Sequence, residues 1–361
     1  MIHDPEVLRL TVLPGDGIGP EVTEAALRVL GTAVRSAGIS LEASSHLIGG
    51  AALDAAGDPL PEASLRAALA ADAVFLGAVG GPAWDSAPVR PEAGLLRLRA
   101  GLGAFANLRP VRVWPGLERF SPLRPEVIHR TDVLFIRELT GGLYFGRPKG
   151  RTGEAPRRHA VDTCEYSESE IRRVAQVAFR AARGRRRQVT SVDKANVLAT
   201  SQLWREVVTE VGADFADVRL DHCLVDTFAL RLMQDPPAFD VVLTENLFGD
   251  ILTDEAGALT GSLGMLPSAS GGGEGPWLYE PVHGSAPDIA GQGRANPLGA
   301  IATVALLLSL TLNRDDLADR VTEAIAAVVA EGRLTPDLGG SASTESVTEA
   351  VLQRLPAGAP A

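Results

Sequence analysis

The feature that most narrows what this chain can fold into is an alternation of two hydrophobic periods. Leu8–Leu13, Val74–Val79, Val133–Ile136, Val189–Val192 and Val241–Leu243 are short apolar runs bounded by polar or Gly/Pro turns, and they read as buried strands. Pro20–Ser36, Glu62–Ala70, Glu168–Arg183, Thr200–Val211 and Asp315–Glu331 lie among them with helical spacing. Pro20 stands where the first helix should begin, a position that tolerates its missing N–H. Strands and helices in turn predict an α/β fold with helices packed over a sheet. With 361 residues, 45% of them hydrophobic, the chain can bury a large core and fill more than one lobe.

Charge and cysteine content exclude several classes of function. The formal net charge of −11 repels nucleic acid and anionic membranes, and the Arg183–Arg187 cluster has no interleaved aromatics. Arg185–Arg187 read as the close of a helix, complementing its dipole. Cys164 and Cys223 show no CxxC spacing, which fits a reducing compartment and a cytoplasmic protein. The opening segment shows no signal-peptide pattern. The longest apolar run, Ala300–Leu310, is too short to span a bilayer. Residues 141–167, rich in Gly, Pro and Arg, read as a surface excursion or β-arm, and Pro356–Ala361 as a frayed tail.

Chemistry-bearing residues fall in a few segments. Gly15, Gly17 and Gly19 in LPGDGIGPE miss the third glycine of a dinucleotide fingerprint, so a tight turn is their reading. Arg99, Arg109 and Arg137 sit near strand or loop ends, where guanidinium forks can hold carboxylates or remain ordinary surface charges. Pro110 biases Arg109 toward extended backbone. Asp250 and Asp254, four apart, share a helix face beside the apolar Leu247, Phe248, Ile251 and Leu252. They suit Mg²⁺ or Mn²⁺, or form a solvated helix edge. Asp226 stands among apolar residues, where a charge needs a partner or a metal. Lys194 follows a buried strand and can relay a proton if desolvated; otherwise it reaches solvent. Tyr144 follows two glycines and is either a ligand contact or a packed aromatic. In EPVHGSAPDIAG, small residues suit a pyrophosphate, and Asp288 suits ribose hydroxyls while repelling a 2′-phosphate, which favours NAD over NADP.

Taken together, LPGDGIGPEV, LLRLRAGLGAFANLRP, RELTGGLYFG, SVDKANVL, NLFGDILTDEAGALTGSLGMLPSAS, EPVHGSAPDIAGQGRANP and TPDLGGSAST resemble the β-decarboxylating dehydrogenases of the isocitrate/isopropylmalate dehydrogenase family. The segments keep the family's order from residue 13 to residue 344. The resemblance implies that family's two-domain α/β fold around a mixed sheet, without a Rossmann fingerprint. Residues 1–104 and 261–361 would form the cofactor-binding domain and 105–260 the central, dimer-forming domain, with the site in the cleft between them and the arm at 141–167. It implies NAD-dependent oxidative decarboxylation of 3-isopropylmalate in leucine synthesis, with Mg²⁺ or Mn²⁺ as cofactor.

Position by position, the resemblance makes Tyr144 and Lys194 the acid–base pair and Asp226, Asp250 and Asp254 the metal ligands, Asp226 also touching substrate. Arg99, Arg109 and Arg137 would clamp the malate carboxylates, and Leu95 and Leu96 would receive the isopropyl group. Glu92 would lie near the nicotinamide. His283, Gly284, Ser285, Ala286, Asp288, Ile289 and Asn296 would hold the adenosine. A homodimer is implied, Lys194 and Asp226 serving the partner's site. Ala100, Arg97, Thr227 and the GGGEG loop depart from the family's commoner pattern, which bears on affinity and fine specificity and not on the reaction. A sibling enzyme acting on tartrate, malate, isocitrate or homoisocitrate is an alternative. A non-catalytic subunit of the same fold is a further alternative, opposed by the retention of every metal and catalytic position.

Overall fold

The computed structural model describes residues 6–355, so the frayed tail predicted for Pro356–Ala361 lies outside the described residues. They form two compact units. The first takes the chain up to Ala104, a short return at Trp114–Pro122, and everything from Thr260 onward; the second takes Phe105–Val113 and Leu123–Leu259.

The first unit opens with β1 (Val7–Gly15), α1 (Gly19–Ser36), β2 (Ser40–Ser45), α2 (Gly49–Ala56), α3 (Glu62–Ala70), β3 (Ala73–Ala78) and α4 (Glu92–Gly101). The second contains β4 (Ala106–Arg112), α5 (Pro125–Ile128), β5 (Asp132–Glu138), β6 (Gly150–Thr152), β7 (His159–Val161) and α6 (Glu168–Arg183). It continues through β8 (Gln188–Asp193), α7 (Ala199–Ala213), β9 (Arg219–Leu224), α8 (Val225–Gln234), β10 (Val241–Thr244) and α9 (Asn246–Gly257). The chain then returns to the first unit with β11 (Pro267–Gly271), β12 (Trp277–Pro281), α10 (Leu298–Leu310), α11 (Asp315–Ala330) and α12 (Thr344–Leu352).

Each unit holds a mixed run of strands. In the first the order is β2-β1-β3-β12-β11, parallel except for the β11–β12 pair. In the second it is β4-β5-β10-β8-β9, parallel except for β4–β5. β3 and β10 lie between parallel neighbours and are buried along their whole length, which explains their unbroken apolar sequences. β2 is an edge strand of SLEASS, mostly exposed, and so carries no apolar signal.

The helices follow their hydrophobic faces. α6 begins at a capping box, with Ser167 accepting from the Glu170 N–H while Glu170 reaches back to the Ser167 N–H. Its buried stripe runs Ile171, Val174, Ala175, Ala178, Phe179 and Ala182. The apolar run at 300–310 belongs to α10, which packs on α1, α11 and β11. No helix among the described residues is long and apolar enough to cross a membrane. Cys164 and Cys223 are both free thiols.

Two sequence expectations are corrected here. Arg185–Arg187 lie past the Gly184 cap of α6 and do not serve its dipole. Arg185 bridges Asp132 and the fully buried Asp240, and Arg186 donates to the carbonyls of Pro237 and Phe239. A buried carboxylate needs such partners, and this one draws the arginines off the helix. In α9, Ile251 is 59% exposed; the buried face is Asn246, Gly249, Leu252, Thr253 and Ala256. The apolar stripe read from the sequence therefore does not form.

The glycine-rich loop between β11 and β12 has a packing reason. A Cβ at Gly273 would stand 2.6 Å from the Gly103 carbonyl oxygen, and one at Gly275 would stand 2.4 Å from that of Leu102. Only bare backbone fits against the end of α4.

Candidate active site

In the second unit Arg109, Arg137 and Tyr144 gather around α9. Arg137 projects from β5 with its side chain only 5% exposed and ion-pairs with Asp250. Its Nε and a terminal nitrogen donate to the Asn246 Oδ1 at 3.1 and 2.8 Å. The Tyr144 hydroxyl donates to the other Asp250 oxygen at 2.6 Å, and the Arg137 guanidinium lies 5.7 Å from the tyrosine ring centre. Burial and the neighbouring Asp250 both push the Tyr144 phenol up, so it carries its proton at neutral pH. Burial alone would raise Asp250 as well, but the Arg137 charge and the Tyr144 hydrogen bond overcome it and hold the carboxyl below its ordinary value.

Arg109 stands in β4, the extended setting that Pro110 favours. It donates to the Thr253 hydroxyl at 2.7 Å and lies 3.5 Å from Asp254, whose side chain is 71% exposed. Asp250 and Asp254 thus share one face of α9 with an arginine against each.

Lys194, just past β8, pairs with Asp226 at 2.5 Å. That bond holds the Asp226 carboxyl below its ordinary value. Asp226 was expected to be enclosed by apolar neighbours; its side chain is 63% exposed instead. Helical spacing explains the difference, because α8 turns Phe228 and Leu232 inward and leaves Asp226 outside. Within one chain no three His, Cys, Asp or Glu side chains of the described residues gather as a metal site, so Asp226 does not join Asp250 and Asp254.

The first unit carries the remaining predicted residues. On α4, Leu95 packs against the buried cluster containing Leu60, Leu76 and Leu98, whereas Leu96 is 50% exposed. Arg97 turns onto Asp58 at 2.5 Å and the Leu60 carbonyl at 3.2 Å. Arg99 pairs with the buried Glu280 at 2.5 Å. Glu92 opens the helix with an exposed side chain.

A cavity of about 360 Å³ is lined by Ile18, His283, Ala286, Ile289, Asn296 and Asp337, among others. Asn296 donates to Asp337 at 3.0 Å and accepts from the Leu298 N–H at 3.0 Å. The His283 Nε2 is buried without a partner, and burial pushes the imidazole down, keeping it neutral. Ser285 is buried, while Gly284 and Asp288 lie exposed along the same loop.

Sequence reasoning missed several residues that hold these groups. Glu280 fixes Arg99, and Asn246 fixes Arg137. Glu138, fully buried, accepts from the Thr140 and Gly141 N–H groups at 2.8 Å each and anchors the loop that leads to Tyr144. Asp193, also buried, takes Arg205 on both oxygens at 2.8 and 2.9 Å and the Ala195 N–H at 2.9 Å, bracing Lys194. One signal was available for the last two. Each is an acid directly beside a candidate functional residue at the end of an apolar strand, where an unpaired charge could not remain.

Comparison with known proteins places the whole chain in one family. A profile described as isocitrate/isopropylmalate dehydrogenase matches residues 9–351. The 3-isopropylmalate dehydrogenase of Anaeromyxobacter dehalogenans is 56% identical over 349 residues, covering 96% of this chain and 99% of that protein. The enzyme of that name from Halalkalibacterium halodurans is 51% identical, covering 97% and 98%. Among solved structures, isocitrate dehydrogenase from Methylococcus capsulatus superposes with a TM-score of 0.85 at 33% identity, covering 96% and 99%. A β-decarboxylating dehydrogenase from Thermococcus kodakarensis gives 0.81 at 36% identity, covering 96% of each chain.

Proposed function

The chain belongs to the isocitrate/isopropylmalate dehydrogenase family, and from that premise we propose that it oxidises and decarboxylates (2R,3S)-3-isopropylmalate to 4-methyl-2-oxopentanoate with NAD, a step of leucine synthesis. The observation that carries the substrate is the surface of α4. Leu96 is exposed one turn before Arg99, and Arg97, the cation next to it on the helix, pairs with Asp58. A polycarboxylate would leave a charge against leucine, a strong ground for rejection.

The residues present fit both cofactors. Asp250 and Asp254 offer hard carboxylate oxygens with solvent-facing sides, as Mg²⁺ or Mn²⁺ requires, and Asp226 of a second copy would complete the set. The unpartnered His283 Nε2 and the small-residue walls of its cavity suit an adenosine, and exposed Asp288 suits its ribose. When bound, the cation supplies Lewis acidity at the substrate's C2 oxygen, and NAD supplies the hydride acceptor.

The chain's own groups do the rest. Arg99, Arg109 and Arg137 bind the malate carboxylates as planar forks and fix the molecule's orientation. Lys194 takes the C2 hydroxyl proton, with Asp226 beside it as the relay. Tyr144, protonated at neutral pH, delivers a proton to the carbon that has lost CO₂.

Lys194 and Asp226 act on the partner's substrate in this reading, which makes the working form a homodimer. Leu230 on α8 and Ile251 on α9 are each 59% exposed, apolar surface that a second copy would cover. The exposed β6–β7 hairpin supplies the arm. We place the enzyme in the cytoplasm, in keeping with its free thiols.

The test is NADH formation from isopropylmalate and NAD⁺ with Mg²⁺, set beside malate, tartrate, isocitrate and NADP⁺. Metal-dependent turnover of isopropylmalate with NAD⁺ is the expected result. Preference for another hydroxy acid would sink the α4 argument, and inactivity toward all of them would favour a non-catalytic subunit.

A further inference from the structure

The turn at residues 14–19, legible in the sequence only as a tight loop, is built around a buried carboxylate. Asp16 is 4% exposed. Its Oδ2 accepts from the N–H groups of Gly50 and Gly80, and its Oδ1 from that of Ala51, each at 2.8 Å. Ionised acceptors make hydrogen bonds about twice as strong as neutral ones, so two distant stretches of chain, at Gly50–Ala51 and at Gly80, are held firmly to one side chain.

The glycines around it are demanded by this approach. Gly49 has φ of +75°, and a Cβ there would stand 2.5 Å from the Asp16 Oδ2. Gly80 has φ of +102°, and a Cβ there would stand 2.6 Å from the Glu92 Oε1. Gly80 is therefore wedged between the two acids. Two residues beyond Asp16, the Ile18 N–H donates to the Ser285 carbonyl at 2.7 Å, and the Ile18 side chain lines the cavity shared by His283 and Ile289. One short turn therefore grips the Gly80–Glu92 segment on one side and the 283–289 loop on the other.

We propose, resting on the NAD reading above, that Asp16 is a positioning residue for the dinucleotide. It sets the spacing between Glu92, at the nicotinamide end, and the loop that receives the adenosine. A ligand spanning both ends depends on that spacing; one that reaches only the adenosine loop does not.

The experiment titrates NAD and, separately, ADP-ribose calorimetrically into the full-length wild type and Asp16→Asn. Asparagine keeps the shape but sets an NH₂ against at least one main-chain N–H. Leaving a buried donor unsatisfied should raise the Kd for NAD about tenfold. By the same argument, ADP-ribose should weaken by less than about threefold, and the KM for the hydroxy acid at saturating NAD should stay within about twofold. A merely structural loss would lower the melting temperature without separating the two ligands. Equal loss of both, or no loss of either, overturns the proposal while the enzyme assignment stands. A wild type that binds neither ligand brings down the NAD reading and this proposal with it. Where Asp16→Asn does not fold, Gly80→Ala strains the same link from the Glu92 side. It should again weaken NAD more than ADP-ribose, and equal weakening overturns the proposal.

Discussion

The unit made from the chain's ends and the unit made from its middle hold their chemistry by different means. In the first, main chain does most of the work: Asp16 gathers three N–H groups, Ser285 offers its carbonyl to Ile18, and glycines allow the close approaches. In the second, long charged side chains pair with one another: Arg137 with Asp250, Arg109 near Asp254, Lys194 with Asp226. A cradle of backbone has a set shape and suits a ligand that is the same at every turnover. Paired side chains can exchange partners, and every acid in these pairs is also a proposed metal ligand. Loading the second unit is then a trade of ion pairs, whereas loading the first fills a shape already made.

The contrast is tested most severely at Lys194. Lys194→Ala should lower kcat by about 10²–10⁴, the usual worth of a positioned acid–base group, with the Kd for NAD unchanged by titration. An accompanying loss of NAD affinity would blur the division between the units. Tyr144→Phe keeps the ring beside Arg137 but removes the donor to Asp250. Its decarboxylation step should slow by about a hundredfold, with the 2-oxo acid intermediate released and detectable by mass spectrometry. Normal partition to product would remove Tyr144 from its role.

A smaller effect is expected on α4. Leu96→Ala should cost about tenfold in kcat/KM for isopropylmalate and little for malate, which has no branch to bury. Equal loss on both substrates would mean that Leu96 supports the helix and does not read the substrate.

The mildest test uses pH. Burial holds the His283 imidazole below its ordinary value, so the folded protein resists a proton that the unfolded chain accepts. Its contribution to stability is full above the ordinary histidine range and is lost as pH falls toward the lowered folded value. NAD affinity should hold through that window and fall only as pH drops through the lowered folded value, where a charged ring would face the cavity. His283→Gln should flatten that limb in a calorimetric titration series; an unchanged limb would assign it elsewhere.

How much of this was legible in the sequence depends on how local the signal is. β3, β10 and α6 were readable because burial on both faces, or along one stripe, writes its period directly into the residues. β9 (RLDHCL) and β11 (PSASG) were not, because each is a strand through the backbone of its neighbours and carries almost no apolar pattern. The site divides the same way. Candidate acids and arginines could be picked out by type and by resemblance, but the link from Tyr144 to Asp250 joins residues 106 apart, and no spacing rule reaches that far. Asp226 shows the opposite failure. Its apolar neighbours in sequence suggested enclosure, and only the helical turn of α8 separates those that go inside from the one that stays out.

The loop of glycines laid on the end of α4 gives this protein a remote adjustment point. Gly273 and Gly275 press on the carbonyls of Gly103 and Leu102 with no side chain between. Any residue larger than glycine must therefore push on the helix that carries Leu96 and Arg99. On the proposed role of α4, evolution or a protein engineer could shift substrate preference from this loop while leaving Leu96 and Arg99 intact. Libraries confined to the pocket would miss such variants.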